Sequence, residues 1–180
     1  MFSLEIDSEI KLSLVNQSFA PLYAQLAQEN LIHLDQWLAW PQHCKTEQDF
    51  ASFIRTSLHD YADGKSMVCG ILYNEALVGN VSFNTINYQL KKVDIGYWLT
   101  ASVQGNGIMT RVCKKLIEIA FDELLMHKVE IAVATGNLAS RAVCERLGLK
   151  LEGIISNAEN LNGQIVDHAI YALHTDRHKK

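Results

Sequence analysis

One stretch, Val93 to Leu125, constrains the fold more than any other, because its hydrophobic period changes once and glycines mark the change. Val93, Ile95, Tyr97 and Leu99 alternate with Asp94, Gly96 and Trp98, the period of two that gives each set its own face of a strand. From Ile108 the apolar residues Met109, Val112, Cys113, Leu116, Ile117, Ala120, Phe121, Leu124 and Leu125 follow helical spacing, leaving Arg111, Lys114, Lys115 and Glu118 polar. A strand therefore passes through Thr100 to Val103 into a turn at Gln104-Gly105-Asn106-Gly107, and a helix follows.

That helix starts without the usual negative charge. Four N–H groups at a helix N-terminus lack partners and the dipole there is positive, which favours side-chain caps and acidic first turns. Here no Asp or Glu precedes Glu118, Arg111 adds positive charge, and two glycines remove side chains where the N–H groups emerge. The pattern suits an external anion such as a phosphate. It also suits a plain tight turn with Asn106 as cap, and the residues alone leave both readings open. A P-loop would need Gly-Lys-Ser/Thr, and a dinucleotide fingerprint a third glycine; neither is present.

The rest of the chain supplies a sheet for this unit. Leu4 to Val15 reads as one or two strands about Asp7-Ser8. Ser18 or a near neighbour caps a helix with Pro21 in its first turn and Leu22, Tyr23 and Leu26 buried. Leu31 to Trp40 reads as a short helix ended by Pro41. Thr46 to Asp49 has capping-box spacing ahead of a helix carrying Phe50, Phe53, Ile54 and Leu58. Met67 to Tyr73 and Ala76 to Asn84 form a hairpin about Asn74-Glu75, and Lys91 to Leu99 adds a third strand. Lys128 to Ala134 follows the long helix, so the two flanking strands are a parallel pair with a right-handed crossover. A helix opened by Asn137 and closed by Gly148 leads to a last pair of strands, Leu149 to Ile155 and Ile165 to Leu173, about Asn160 to Gly163.

Composition narrows the class. With 180 residues, 48% of them hydrophobic, residues 1–180 fit one domain. No apolar run approaches a membrane span and no leader pattern opens the chain, so a cytoplasmic protein is expected. Cys44, Cys69, Cys113 and Cys144 are too scattered for a zinc ribbon or redox pair, and the seven histidines show no ligand spacing, so no metal is expected. A net charge of -4 without a basic stripe argues against nucleic acid. His174 to Lys180 reads as a solvated tail.

Gln104-x-x-Gly107 entering an amphipathic helix, after a strand carrying Gly96-Tyr97-Trp98, resembles the acetyl-CoA motif of the GNAT acetyltransferases, usually Gln/Arg-x-x-Gly-x-Gly/Ala. Met109 departs from the last position, so its side chain must turn into the core. The resemblance covers nearly the whole chain. Gly96 to Leu99, Gln104 to Thr110, Asn137-x-x-Ser140 and Leu151-Glu152-Gly153 are similar to the RimJ/RimL branch. Trp40-Pro41-Gln42, Val81 to Asn84 and Ala158 to Gly163 are similar to its ribosomal-protein-serine N-acetyltransferases.

The resemblance implies an α/β (α+β) GNAT fold: a mixed, mostly antiparallel sheet with one splayed parallel pair and helices on both faces. It implies acetyl-CoA as donor. The backbone of Gln104, Gly105, Asn106, Gly107, Ile108, Met109 and Thr110 would hold the pyrophosphate, and the edge of Tyr97, Trp98 and Leu99 would pair with the pantetheine amides. Asn137 would lie near the pantetheine and Ser140 by the sulfur, where many members carry a Tyr that protonates the thiolate. A serine hydroxyl is a weaker acid, which suits a hydrogen bond or relay. Glu159 matches the branch's general base, with Asp94 as the rival on the central strand. Each has a plainer use: Asn137 and Ser140 as helix-start residues, Glu159 as a surface loop residue. Trp37 and Trp40 wall the acceptor site or serve as core or homodimer contacts.

No Cys or Ser has an obvious His–Asp pair beside it, so direct attack on the thioester is expected. The acceptor implied is the α-amine of a protein N-terminus, a ribosomal stalk protein beginning with Ser. A small amine such as a polyamine or antibiotic is the alternative, and a non-catalytic CoA-binding regulator is a further one.

Overall fold

A computed structural model describes residues 3–175. Eight strands form one sheet: β1 (Ser3–Glu5), β2 (Ile10–Leu14), β3 (Met67–Tyr73), β4 (Ala76–Asn87), β5 (Lys92–Leu99), β6 (Lys128–Ala134), β7 (Lys150–Leu161) and β8 (Gln164–His174), in the spatial order β1-β2-β3-β4-β5-β6-β8-β7. Every pairing is antiparallel except β5 with β6. Among the described residues five α-helices form: α1 (Ala20–Glu29), α2 (Leu31–Leu34), α3 (Glu47–Ala62), α4 (Ile108–Glu118) and α5 (Leu138–Arg146).

Alternation along β5 and β6 decides what each face packs against. Val93, Ile95, Val129, Ile131 and Val133 point toward Val112, Cys113 and Leu116 of α4 and form the larger core cluster. Trp98 points the other way, toward Tyr23 of α1 and Trp40, with Phe50 and Ile54 of α3 in the same smaller cluster. Helices thus cover both faces, and β5 lies at the centre of both packings. Met109 is buried against the first cluster, as its place in the motif required.

Local chemistry fixes the ends of the elements. Thr46 and Asp49 exchange the two hydrogen bonds of a capping box at α3, a device worth about 0.5–2 kcal/mol. Asn74 and Glu75 both take positive φ, 48° and 66°, which matches the β3–β4 turn to the strand twist. A single π-type turn, Ile119–Glu123, ends the helical run after α4, and Leu125 then takes a left-handed φ of 54°.

Four expectations need correction. Leu31 to Trp40 is no continuous helix: α2 stops at Leu34, and Pro41 sits inside a separate 3₁₀ turn, Trp40–Gln42, because proline's missing N–H is no loss in a first turn. On α1 the buried positions are Ala20, Tyr23 and Ala27, while Leu22 faces solvent; the cap lies at Asn16, ahead of a 3₁₀ turn. Glu159 belongs to β7 and not to a loop, since that hairpin extends to Leu161 and turns only at Asn162-Gly163. His174 pairs within β8 and contacts Glu152, whereas the rest of the expected tail beyond Thr175 lies outside the described residues.

Candidate functional site

The parallel pair is short. β5 and β6 are in register only at Lys92–Lys128, Val93–Val129 and Asp94–Glu130 and then diverge, while β5 stays bonded to β4 as far as Leu99. Residues 95–99 therefore keep one strand edge without a ladder partner among the described residues, facing a gap. The gap opens into a cleft of about 1460 Å³ that runs through the sheet, with α4 and α5 on one side and residues 33–40, β7 and β8 on the other. All the expected cofactor residues except Asn106 line it, together with Ser140, Glu159, Trp37 and Trp40.

At one end of the cleft stands the glycine turn. Gly107 is the N-cap of α4 with a left-handed φ of 68°, no side chain caps the helix, and its first turn holds no acidic residue. A β carbon placed on Gly105 or Gly107 would meet nothing within 4 Å, so the space before the N–H groups is open. Asn106 is not the cap: its side-chain amide donates to Val103 O within the turn. Arg111 does not serve the anion either. Its guanidinium donates to Asp7 at 2.8 Å and Glu9 at 2.9 Å, tying α4 to the β1–β2 turn. The cation at this end is Arg146 of α5, which lines the cleft and lies 3.4 Å from the Thr110 hydroxyl. Backbone donors, an uncapped dipole and one guanidinium together fit a phosphate-bearing ligand.

In the middle, the Asn137 side-chain oxygen accepts from Ser140 N at 3.1 Å, so Asn137 does cap α5 and thereby holds Ser140 at the cleft wall. The Tyr97 hydroxyl donates to Ser140 O, and burial pushes its phenol well above the ordinary range, so it stays protonated near neutral pH. Burial likewise raises every thiol: Cys44 to about 11, Cys69 and Cys144 to about 12, and Cys113 further. A thiol so protonated is a poor nucleophile, and no cysteine lines the cleft.

The far end is acidic and walled by side chains from distant segments. Glu159 Oε2 lies 3.1 Å from His168 Nε2, with both residues on the cleft wall. Asp94 stands at the closed end of the parallel pair, 3.1 Å from Lys92 Nζ, which also contacts Glu130. Burial alone would raise Glu130, yet hydrogen bonds from Lys128 and Lys92 outweigh it and hold the carboxyl below its usual range. Asp94 thus sits in a lysine–carboxylate network that clamps the strands, and Glu159 does not. Trp40 packs edge-on to Phe50 and against Trp98, with ring centroids 5.8 and 5.7 Å apart, so most of its contacts are core contacts. Trp37 reaches across the cleft to within 3.5 Å of where a β carbon on Gly136 would lie. Asn162, at the β7–β8 tip, donates to Asp35 O and Oδ1, both at 2.9 Å, and bridges the hairpin to the segment carrying Trp37.

Arg146 and His168 were not singled out from the sequence, and Asn162 only as part of the turn and motif at residues 158–163. Arg146 had one signal, its place in the last turn of the helix that Asn137 opens. The contacts of His168 and Asn162 had none, since their partners lie on other strands or far along the chain. Among the described residues no group of three or more His, Cys, Asp or Glu is placed to hold a metal, and no helix is long and apolar enough to cross a membrane.

Known proteins are similar to this chain in sequence and in fold. Residues 12–150 match the acetyltransferase (GNAT) domain family. The ribosomal-protein-serine acetyltransferase of Escherichia coli (strain K12) is 31% identical over 171 residues, covering 94% of this chain and 95% of its own. RimL, a ribosomal L7/L12 alpha-N-protein acetyltransferase solved with coenzyme A, superposes with a TM-score of 0.93 at 29% identity over 97% of this chain and 99% of that one. The microcin C7 self-immunity acetyltransferase MccE, solved with acetyl-CoA and AMP, superposes with a TM-score of 0.91 at 34% identity over 94% of both chains. A splayed parallel pair beside an uncapped glycine-turn helix, found within a matching family domain and overall fold, leads to one conclusion: this chain belongs to the GNAT family and is an acetyl-CoA-dependent N-acetyltransferase.

Proposed function

We propose that the chain acetylates the α-amine of a protein N-terminus, with a ribosomal protein beginning with serine as acceptor and Glu159 as general base. The observation that carries this reading is the cleft itself, which joins an uncapped glycine turn on one side of the sheet to a carboxylate outside the lysine network, Glu159, on the other.

When bound, acetyl-CoA supplies an acyl carbon activated as a thioester. The chain's residues do the rest. Backbone N–H groups of residues 104–110 and the Arg146 guanidinium hold the phosphates, and the free edge of Tyr97 to Leu99 aligns the pantetheine amides. Ser140, fixed by the Asn137 cap, hydrogen-bonds at the sulfur end. Glu159 takes a proton from the incoming ammonium so that the neutral amine attacks directly. Orientation and exclusion of water supply most of the acceleration in such a site.

Acid–base arithmetic favours an α-amine over a lysine. At pH 7 roughly a tenth of α-amines are neutral, given pKa values of about 7.7–8.0, against about 0.04% of lysines at about 10.4. One partly exposed carboxylate meets the smaller demand more easily. The identity of the acceptor as a ribosomal serine terminus rests on the likeness to RimL and to the E. coli serine acetyltransferase; a cytoplasmic setting and a homodimer are part of the same proposal. A net charge of -4 suits a free protein acceptor better than direct contact with RNA.

A second reading, a small amine on a nucleotide or polyamine, is favoured by the likeness to MccE, solved with AMP. Initial rates decide between them, using a Ser-starting peptide, an N-terminally blocked peptide with one lysine, spermidine and an aminoacyl nucleotide analogue. The Ser-starting peptide is expected to give the highest kcat/KM. A higher value for any of the other three overturns the proposed acceptor.

A further inference from the structure

His168 is the residue in the acceptor half that nothing above has used. It lies on β8, whose residues 168 and 170 pair with Ala134 and Ala132 of β6, the strand that forms one side of the gap. Glu159 lies one strand farther out, on β7. The two meet because β7 is irregular: Ile155 pairs with His168 and Glu159 with Val166, so β7 spends four residues where β8 spends two. The excess is held in place by Asn157, whose φ is 52° and whose N–H donates to the Asp167 carboxylate at 2.9 Å. Bulges of this kind re-aim side chains beside active sites. Here the bulge sets Glu159 diagonal to His168 on the cleft face, 3.1 Å from its Nε2.

An ionised carboxylate only accepts hydrogen bonds, so His168 Nε2 is the donor and the ring carries its hydrogen there. That bond engages Oε2.

We propose that His168 is a positioning residue for the reaction, holding Glu159 through Oε2 so that Oε1 receives the proton from the acceptor ammonium. One proton moves from the ammonium to Oε1, the neutral amine nitrogen bonds to the acyl carbon as the carbon–sulfur bond breaks, the second proton passes from that nitrogen to the departing thiolate, which leaves as the thiol of coenzyme A, and His168 takes up no proton. This inference rests on Glu159 being the base. It gives His168 a role that a residue acting alone as base, or one merely packing the sheet, would not have.

The test compares His168→Ala, His168→Gln, Glu159→Gln and the double variant Glu159→Gln/His168→Ala, each assayed with a Ser-starting peptide after its fold is checked by circular dichroism. Gln places an N–H donor where Nε2 stands but has no ring to accept a proton. His168→Ala should lower kcat about tenfold, as expected for losing a hydrogen bond to a charged group, with acetyl-CoA affinity unchanged. His168→Gln should recover activity to within about twofold of wild type, and the double variant should be no slower than Glu159→Gln alone. Equal loss in the Gln and Ala variants would make His168 itself the proton acceptor and overturn the proposal. A wild-type kcat in His168→Ala, or additive losses in the double variant, would also overturn it. If Glu159→Gln itself keeps full activity, the reading of Glu159 as base fails first, a result distinct from the failure of His168 alone.

Discussion

The two ends of the cleft are built by opposite means. At the cofactor end most working groups are backbone N–H donors and a bare strand edge, set by a glycine turn whose parts lie within about fifteen residues of one another, and Arg146 alone reaches in from farther along the chain. At the acceptor end they are side chains, and the contacts that hold them span long stretches of sequence: Asn162 reaches Asp35 across 127 positions, and Glu159 meets His168 only through a bulge. Backbone geometry serves any acceptor, whereas side chains from separate segments of sequence can change one at a time. The comparison teaches why a family keeps its donor and varies its acceptor.

Breaking the cofactor end should have the largest effect. Gly107→Val puts a branched side chain into the open space before the N–H groups and onto a backbone with φ of 68°. Acetyl-CoA binding should fall below detection by titration calorimetry. The fold should survive, because a β carbon there meets no protein atom within 4 Å; the left-handed conformation costs roughly 1–2 kcal/mol, or a Tm lower by about 2–8 °C. Wild-type affinity in the variant would reduce the glycine turn to a connector.

Glu159→Gln should come next, lowering kcat by roughly 10²–10⁴-fold with acetyl-CoA affinity unchanged, since it removes proton acceptance and keeps shape. A loss of cofactor affinity there would erase the division between the two ends. Ser140→Ala sharpens the boundary because Ser140 stands between them. It should lower kcat by less than the ~10²-fold of a full proton-transfer group. An effect confined to acetyl-CoA affinity would assign Ser140 to the cofactor end alone.

The same division explains what the sequence made legible. The strand, the turn and α4 were readable because hydrophobic period and glycine placement are local, and the absent acidic first turn was visible as a missing cap. The sense of the sheet followed, since a strand, helix and strand in succession allow one handedness. The ion pairs of Arg111 were hidden from local reading because Asp7 and Glu9 lie more than a hundred positions away, while its bond to Asn106 O keeps it beside the glycine turn. Residues 31–40 have helical spacing for Leu34, Trp37 and Leu38, yet tertiary demands won: the segment unwinds after Leu34 and is latched by Asn162. Glu159 was placed in a loop because Asn-rich sequence reads as turn, whereas a bulged strand tolerates Asn157 at positive φ.

The central claim, that one end fixes the donor while the other selects an α-amine, is tested most directly by a bisubstrate conjugate. Coenzyme A is joined through its sulfur and an acetyl bridge to the α-amine of a Ser-starting peptide, and the same conjugate is made through a lysine side chain and through spermidine. Calorimetry should show the α-amine conjugate binding roughly 10²-fold or more tighter than coenzyme A alone, because it spans both ends at once. The other two conjugates should gain little over coenzyme A. Tightest binding by the lysine or spermidine conjugate, or no gain from any of them, would contradict the account.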